Sequence, residues 1–338
     1  MSKPVLSVIQ SDLPEKWQQI LSDLISEPKE LLNILGLDEN EKPASLAAIT
    51  AFPMKVPRPF AMRMERGNWE DPLLLQVWPA SQEEITQADL VADPLEESIF
   101  NPVPGLLHKY HGRVLLTTVP HCAIHCRYCF RRHFDYAGNT PGKSGWHSAL
   151  DYIKADGSIE EVILSGGDPL AASDKYLGWL LDELEAIPHV NTVRFHSRLP
   201  IVIPQRITPA LRRVLKRERL RTVIVVHSNH GRELDSEVSR VLSTLATDGH
   251  TMLNQAVLLR NINDNPSALV ELNMALFSSH VLPYYLHLPD RVAGTSHFLV
   301  SEEEGRRLIA ELEDLLPGYL VPRLVREEPG ENHKSRIL

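Results

Sequence analysis

The hydrophobic pattern of this chain changes rhythm near residue 100. Upstream, the stretch WQQILSDLISEPKELLNILGL places apolar residues at roughly helical spacing, with a break at Pro28, while Tyr, Val and Ile are sparse. That pattern predicts an N-terminal helical region over residues 1–105, without strands. From Pro102 onward, short apolar, β-branched runs alternate with amphipathic stretches. Strands are expected at VLLTTV (114–119), EEVILS (160–165), NTVRFHS (191–197), RTVIVVHS (221–228), TMLNQAVLL (251–259) and VLPYYLHL (281–288). Helices are expected near 146–154, 173–186, 208–218, 233–248, 266–279 and 301–315, several opening on a capping residue such as Ser173, Thr208 or Ser301.

Six successive strand–helix units favour a parallel sheet, because each amphipathic crossover covers the sheet and returns the chain right-handed to the next parallel position. No hairpin signal interrupts the series. Polar residues gather at the C-terminal ends of several different strands: a cysteine loop after the first, SGGDP after the second, HSR after the third, HSNH after the fourth and HLPD after the sixth. A doubly wound sheet concentrates its chemistry at one switch point, whereas a β/α barrel collects it from many strand ends on one face. The expected fold is α/β: a partial or open (β/α)6 TIM-like barrel over 106–328, with the helical region before it and a tail, 329–338, behind it.

Composition narrows the class. Hydrophobic residues at 43% and charged residues at 23% are ordinary for a soluble globular protein, and no run of about 18 apolar residues suggests a membrane span. The N-terminus MSKPVLSVIQSDLPEKW lacks the apolar core of a signal peptide, so a cytoplasmic location, where thiols stay reduced, is expected. The net charge of −9 lies wholly in residues 1–105, which hold 17 acidic and 8 basic side chains. An acidic first third beside a neutral remainder lacks the basic face that a nucleic acid requires. The acidic excess reads as a solvated helical surface.

The three cysteines, Cys122, Cys126 and Cys129, fall within eight residues in a C-x3-C-x2-C spacing. Three thiolates can hold three irons of a 4Fe-4S cluster and leave the fourth iron open to a chelating ligand, whereas clusters with four cysteines shuttle electrons. The same cysteines could instead close a zinc site with His125 or His133. The spacing, Tyr128 before the third cysteine and the position after the first barrel strand resemble the radical S-adenosyl-L-methionine (SAM) superfamily. That resemblance implies an open iron that binds the amino and carboxylate groups of SAM, whose reductive cleavage yields a 5′-deoxyadenosyl radical. The next strand ends in Ser165-Gly166-Gly167-Asp168-Pro169, where paired glycines allow close backbone approach. In that superfamily this turn holds the SAM amino group.

Longer motifs are more specific. VADPLEES, VPGLLHKY, CRYCFRRHF, LSGGDPL, SRLPIVIPQRIT, NQAVLLRNIND, PYYLH and GYLVPRLVRE, spread from about residue 90 to 334, resemble the lysine 2,3-aminomutase family. Within it they are most similar to the short bacterial branch that makes (R)-β-lysine for elongation factor P. The resemblance implies a radical isomerase that moves the α-amino group of free L-lysine to the β carbon and uses pyridoxal 5′-phosphate (PLP) beside the cluster. Its product would pass to a ligase that modifies elongation factor P. A carbon radical cannot capture an ammonium, but it can add to the C=N bond of an imine and carry the nitrogen across.

The family's PLP-bearing lysine falls on Lys334, the only lysine after Lys216. Arg131 falls on the arginine that grips the substrate carboxylate, a contact suited to a planar guanidinium. Asp290 and Glu327 fall on two acidic positions that receive the ε-ammonium, a charge costly to bury without them; Glu327 stands where aspartate is usual. Lys109 and Tyr110 fall on a basic–aromatic pair for the PLP phosphate, with lysine in place of arginine. Arg198, His227 and Gln255, at strand ends, are expected to line the SAM or PLP site, with the division between the two left open. Long family members continue past the lysine into a zinc-binding extension, whereas here PGENHK is followed by four residues. Two alternatives stay open at this level: an aminomutase for another amino acid such as glutamate, and a non-catalytic zinc-stabilised binding protein.

Overall fold

The computed structural model of the chain describes residues 17–141 and 145–337; the N-terminal segment in which no signal peptide is read lies, up to residue 16, outside the described residues. All six expected strands form, as β2 (Arg113–Val119), β3 (Glu161–Gly166), β4 (Thr192–Ser197), β5 (Arg221–Val226), β6 (Thr251–Val257) and β7 (Leu282–His287). Runs such as VIL in β3 are buried on both sides, as expected for a parallel sheet under helices. Each of these strands is followed by its expected helix: α1 (Trp146–Ala155), α2 (Asp174–Glu185), α3 (Pro209–Leu215), α4 (Ser236–Thr247), α5 (Pro266–Ser278) and α6 (Glu302–Leu315). The hydroxyls of Ser173, Thr208 and Ser301 accept the N–H three residues on, at 3.2, 3.1 and 3.2 Å, and so cap α2, α3 and α6. After α6 a further parallel strand, β8 (Arg323–Arg326), joins β7.

The strands lie in sequence order in one sheet that does not close, which is the partial barrel expected. Its two edges depart from the sequence-based expectation. A hairpin opens the barrel: β1 (Leu106–Tyr110) turns through His111–Gly112 and pairs antiparallel with β2. The tail closes the other side, where β9 (Ser335–Arg336) runs antiparallel to β8. The reason is the same at both edges. An outer strand presents unpaired N–H and C=O groups, and a short antiparallel segment satisfies them.

Among the described residues no strand precedes Leu106, and the N-terminal region forms short helices from Trp17–Ser22 to Pro72–Leu75. Its apolar side chains, Trp17, Leu31, Phe60 and Leu73 among them, join one hydrophobic cluster that continues through the sheet to Ile337. The same region rests directly on the cysteine loop, with the His125 N–H donating to the Lys55 carbonyl at 3.0 Å. No helix among the described residues is long and apolar enough to cross a membrane.

Candidate active site

The cysteine loop leaves β2 and is met at once by the end of β3. A Cβ on Gly167 would lie 2.3 Å from the His121 carbonyl oxygen, and one on Gly166, at φ +108°, would lie 2.9 Å from the Val119 oxygen. Only glycine fits at these positions. What the two glycines approach is the chain's own backbone, where the sequence suggested a ligand. Cys122, Cys126 and Cys129 are free thiols, partly buried on the loop. Burial, and then the nearby Cys126, push the Cys129 thiol up to about 12; burial, Asp168 and the other two thiols raise Cys122 well above its usual range. Three thiols so gathered suit a multi-iron cluster, whose positive charge would draw off their protons. Among the described residues, no group of three or more His, Cys, Asp or Glu side chains could hold a single metal ion.

Two residues assigned above to a cofactor serve the scaffold around this loop. The buried Arg198 guanidinium donates to Cys126 Sγ and Tyr128 Oη, each at 2.6 Å, and to Gln76 Oε1 at 2.6 Å and Glu233 Oε2 at 3.1 Å. Asp168 accepts from Ser197 Oγ at 2.7 Å and from the N–H groups of Leu170, Arg198 and Leu199 at 3.0, 2.8 and 3.0 Å. Asp168 therefore fixes the turn that carries Arg198, and Arg198 fixes the cysteine loop. Gln76 and Glu233 belong to no motif. Nothing in the sequence singles them out, because their roles exist only once three distant segments meet.

Arg131, two residues past Cys129, is buried with a carboxylate already on it. Its Nε and Nη2 donate to Glu97 Oε2 and Oε1 at 2.9 and 2.6 Å, and its Nη1 donates to Ser165 Oγ at 3.1 Å. Burial opposes the charge of Arg131, and Glu97 more than restores it.

The remaining expected residues converge on the opening of the barrel, where β1 faces the end of β8. Tyr110 Oη donates to Glu327 Oε1 at 2.8 Å, Lys109 Nζ lies 3.4 Å from the same oxygen, and Lys334 Nζ pairs with Glu327 Oε2. Burial would raise the Glu327 carboxyl, but the Lys334 and Lys109 ammonium groups hold it down to about 2. Asp290 is the opposite case. Its carboxylate has no hydrogen bond or ion pair with a described residue, and burial, then the charge of Glu327, push its pKa up to about 7. Glu327 joins two clefts, one with Asp290 and Arg326 and one with Glu97, Lys109, Tyr110 and Arg113. Arg113 was missed by the sequence reading. Its guanidinium stacks 4.7 Å over the Tyr110 ring, a pairing set by the hairpin register Tyr110↔Arg113. Inside the barrel, His227 Nε2 accepts from Gln255 Nε2 at 2.8 Å, and burial lowers the imidazole to about 3, so it stays neutral.

No family model matches the chain. It is 49% identical over 324 residues to the L-lysine 2,3-aminomutase of Escherichia coli (strain K12), spanning 96% of this chain and 94% of that protein. The chain belongs to the L-lysine 2,3-aminomutase family. As a member it is an isomerase, and the pattern holds further out. The Haemophilus influenzae L-lysine 2,3-aminomutase is 47% identical over 95% of both chains. That of Clostridium subterminale is 34% identical over 95% of this chain but only 77% of its own length. Among solved structures, Streptococcus suis SuiB bound to S-adenosylmethionine overlaps 65% of this chain and 51% of its own at a TM-score of 0.49 and 14% identity, too loosely to bear on the site. In this aminomutase the structure brings Lys109, Tyr110, Glu327 and Lys334 into contact. It places Arg131 on the same cleft through Glu97 and turns Arg198 and Asp168 into the scaffold.

Proposed function

We propose that this aminomutase converts L-lysine to (R)-β-lysine by 1,2-amino migration, with a 4Fe-4S cluster on Cys122, Cys126 and Cys129, SAM at the open iron and PLP on Lys334. When bound, these groups supply a carbon-centred radical and an aldehyde that can carry the migrating nitrogen. The chain's own residues do the rest. Lys109, Tyr110 and Arg113 form a donor set suited to a phosphate, while Ser165, Gly166 and Gly167 border the cysteines where SAM would lie. Arg131 offers a planar fork for the substrate carboxylate. Asp290 and Glu327 take the ε-ammonium. His227, neutral and bonded to Gln255, fills the barrel interior without adding charge.

The unpartnered Asp290 carboxylate carries the choice of lysine. An acid kept near half-ionisation by burial and by a second acid, and opening on a cleft, is a site for a cation. A glutamate side chain would meet repulsion from both acids. Reduced enzyme incubated with SAM and labelled amino acids tests the reading: β-lysine from lysine is expected, and turnover of glutamate alone would refute it. We place the reaction in the cytoplasm and its product with a ligase acting on elongation factor P. The location is supported by three clustered thiols that stay reduced only in a reducing compartment, and the partner by the chain's match to nearly the full length of the short relatives and only part of the longer one. Deleting the gene should remove the β-lysyl mass increment from elongation factor P; an unchanged mass would dismiss that step.

A further inference from the structure

Arg131 and Glu97 make the same contact that a free amino acid's carboxylate would make with Arg131. Two oxygens meet Nε and Nη2 in a fork, and the third nitrogen is taken by Ser165. A second carboxylate cannot use that fork while Glu97 holds it. The pair is nearly buried, with side-chain exposures of 7% for Arg131 and 13% for Glu97.

Glu97 does not come from the barrel. It begins the 3-10 turn Glu97–Phe100, on the strap that joins the N-terminal region to β1. The residue before it, Glu96, sits at φ +49°, a left-handed conformation that strains a residue with a side chain. The two hydrogen bonds that lead into this turn are long: the Glu96 N–H reaches the Asp93 carbonyl at 3.5 Å and the Glu97 N–H reaches Asp93 Oδ1 at 3.3 Å, while the Ile99 N–H closes the turn on the Glu96 carbonyl at 3.2 Å. Ile99 stands 68% exposed. Val91, bridged to Val292, and the buried Leu95 anchor the strap upstream, and the grip of Arg131 on Glu97 ties the turn itself to the cysteine loop. Glu97 also lines the cleft shared by Lys109, Tyr110, Arg113 and Glu327, so the Arg131 fork that it occupies lies beside the proposed phosphate donors.

We propose that Glu97 is a specificity-determining residue: an internal surrogate for the substrate's α-carboxylate, held on Arg131 by a strained strap and displaced when the amino acid's own carboxylate takes the fork. This rests on the reading of Arg131 as the carboxylate grip. Displacement lets Glu96 relax and moves a negative charge out of the cleft as the substrate brings its own in, so the charge on Arg131 stays balanced throughout. An amine without a carboxylate cannot open the strap. The enzyme thus discriminates between lysine and the corresponding diamine by competition as well as by contact.

Equilibrium dialysis of labelled L-lysine and of cadaverine, which lacks only the carboxylate, tests this on the cofactor-loaded enzyme without reductant, so that nothing turns over. Glu97→Gln should bind lysine roughly tenfold more tightly than wild type, because the binding-competent fraction is no longer limited by an internal competitor, and should gain nothing for cadaverine. Glu97→Asp, whose shorter arm cannot close the fork, should fall between. Unchanged or weaker lysine binding in both variants, at the wild-type melting temperature, overturns the proposal and makes Glu97 a fixed orienting partner of Arg131. Arg131→Gln separates the two readings. It should lose lysine binding and keep cadaverine binding, and retention of lysine would instead defeat the carboxylate role of Arg131. In the wild type, hydrogen exchange over residues 93–101 should rise on saturation with lysine and not with cadaverine; protection by lysine would also overturn the proposal.

Discussion

The cysteine loop and the opening between β1 and the tail are equally rich in charge, and they hold it in opposite ways. Around the loop Arg127, Arg132 and Arg198 are each locked by several partners from the chain itself. Arg127 reaches both oxygens of Glu83 and the carbonyls of Ala48 and Phe52, and Arg132 reaches Glu83 and two further carbonyls. Arg198 has four side-chain partners. At the opening the contacts are mostly ion pairs: two lysines and a tyrosine hydroxyl on Glu327, a strap carboxylate on Arg131, and no described residue on the Asp290 carboxylate. A guanidinium held by several carbonyls and side chains at once resists exchange for a ligand more than one held by a single carboxylate partner. One region is built to stay and the other to trade partners.

The largest effects should come from breaking either region at its key residue. Lys334→Ala should abolish the PLP adduct trapped by borohydride while leaving iron and sulfide content at the wild-type level. Retention of the adduct would put the attachment elsewhere and remove the tail from the site. In the fixed region, Glu83→Ala leaves Arg127 and Arg132 buried beside each other without a counter-charge. A loss of about 3–5 kcal/mol in a denaturant melt is expected. A loss below about 1 kcal/mol would mean that the lock is not electrostatic.

The two regions also differed in how far the sequence revealed them. The thiols, SGGDP and the six strand–helix units are local patterns, and the structure places them where their spacing predicts. The β1–β2 hairpin was there to be read: LLHKY and RVLLTTV flank a two-residue turn containing Gly112. It was hidden because the first run also reads as the end of an irregular segment. Gln76 and Glu83 were not legible at all, and Glu97 only as one letter of VADPLEES, with no role attached. Each is one acidic or amide side chain in a region whose charge looks like solvated surface, and only the folding of residues 17–105 onto the loop turns it inward. Lys109, Tyr110 and Glu327 came from family resemblance, since they lie over two hundred residues apart and meet only across the mouth of a sheet that fails to close.

A middle-sized effect should appear at Asp290. With its carboxyl pushed up to about 7, Asp290 is neutral at lower pH and must ionise to pair with an ammonium. Lysine affinity should therefore rise with pH, by up to tenfold per unit below about 7, and level off above it. Asp290→Asn should weaken binding roughly tenfold at pH 8 and flatten the profile. A variant that keeps the wild-type slope would place the titrating group elsewhere.

The smallest expected effect sharpens the contrast best. Tyr110→Phe removes one 2.8 Å donor from Glu327 and leaves Lys109 and Lys334 in place. A donor that orients an acid for exchange contributes only the net value of one hydrogen bond, about 1 kcal/mol, or roughly a fivefold change in lysine affinity. Thermal stability should not move, because the ring still packs under Arg113 and the carboxylate keeps two cations. Were Tyr110 part of a locked network like that of Arg198, the same change would lower the melting temperature along with affinity. Measuring both on this one variant decides whether the opening is provisional, as its reliance on ion pairs implies, or fixed like the loop beside it.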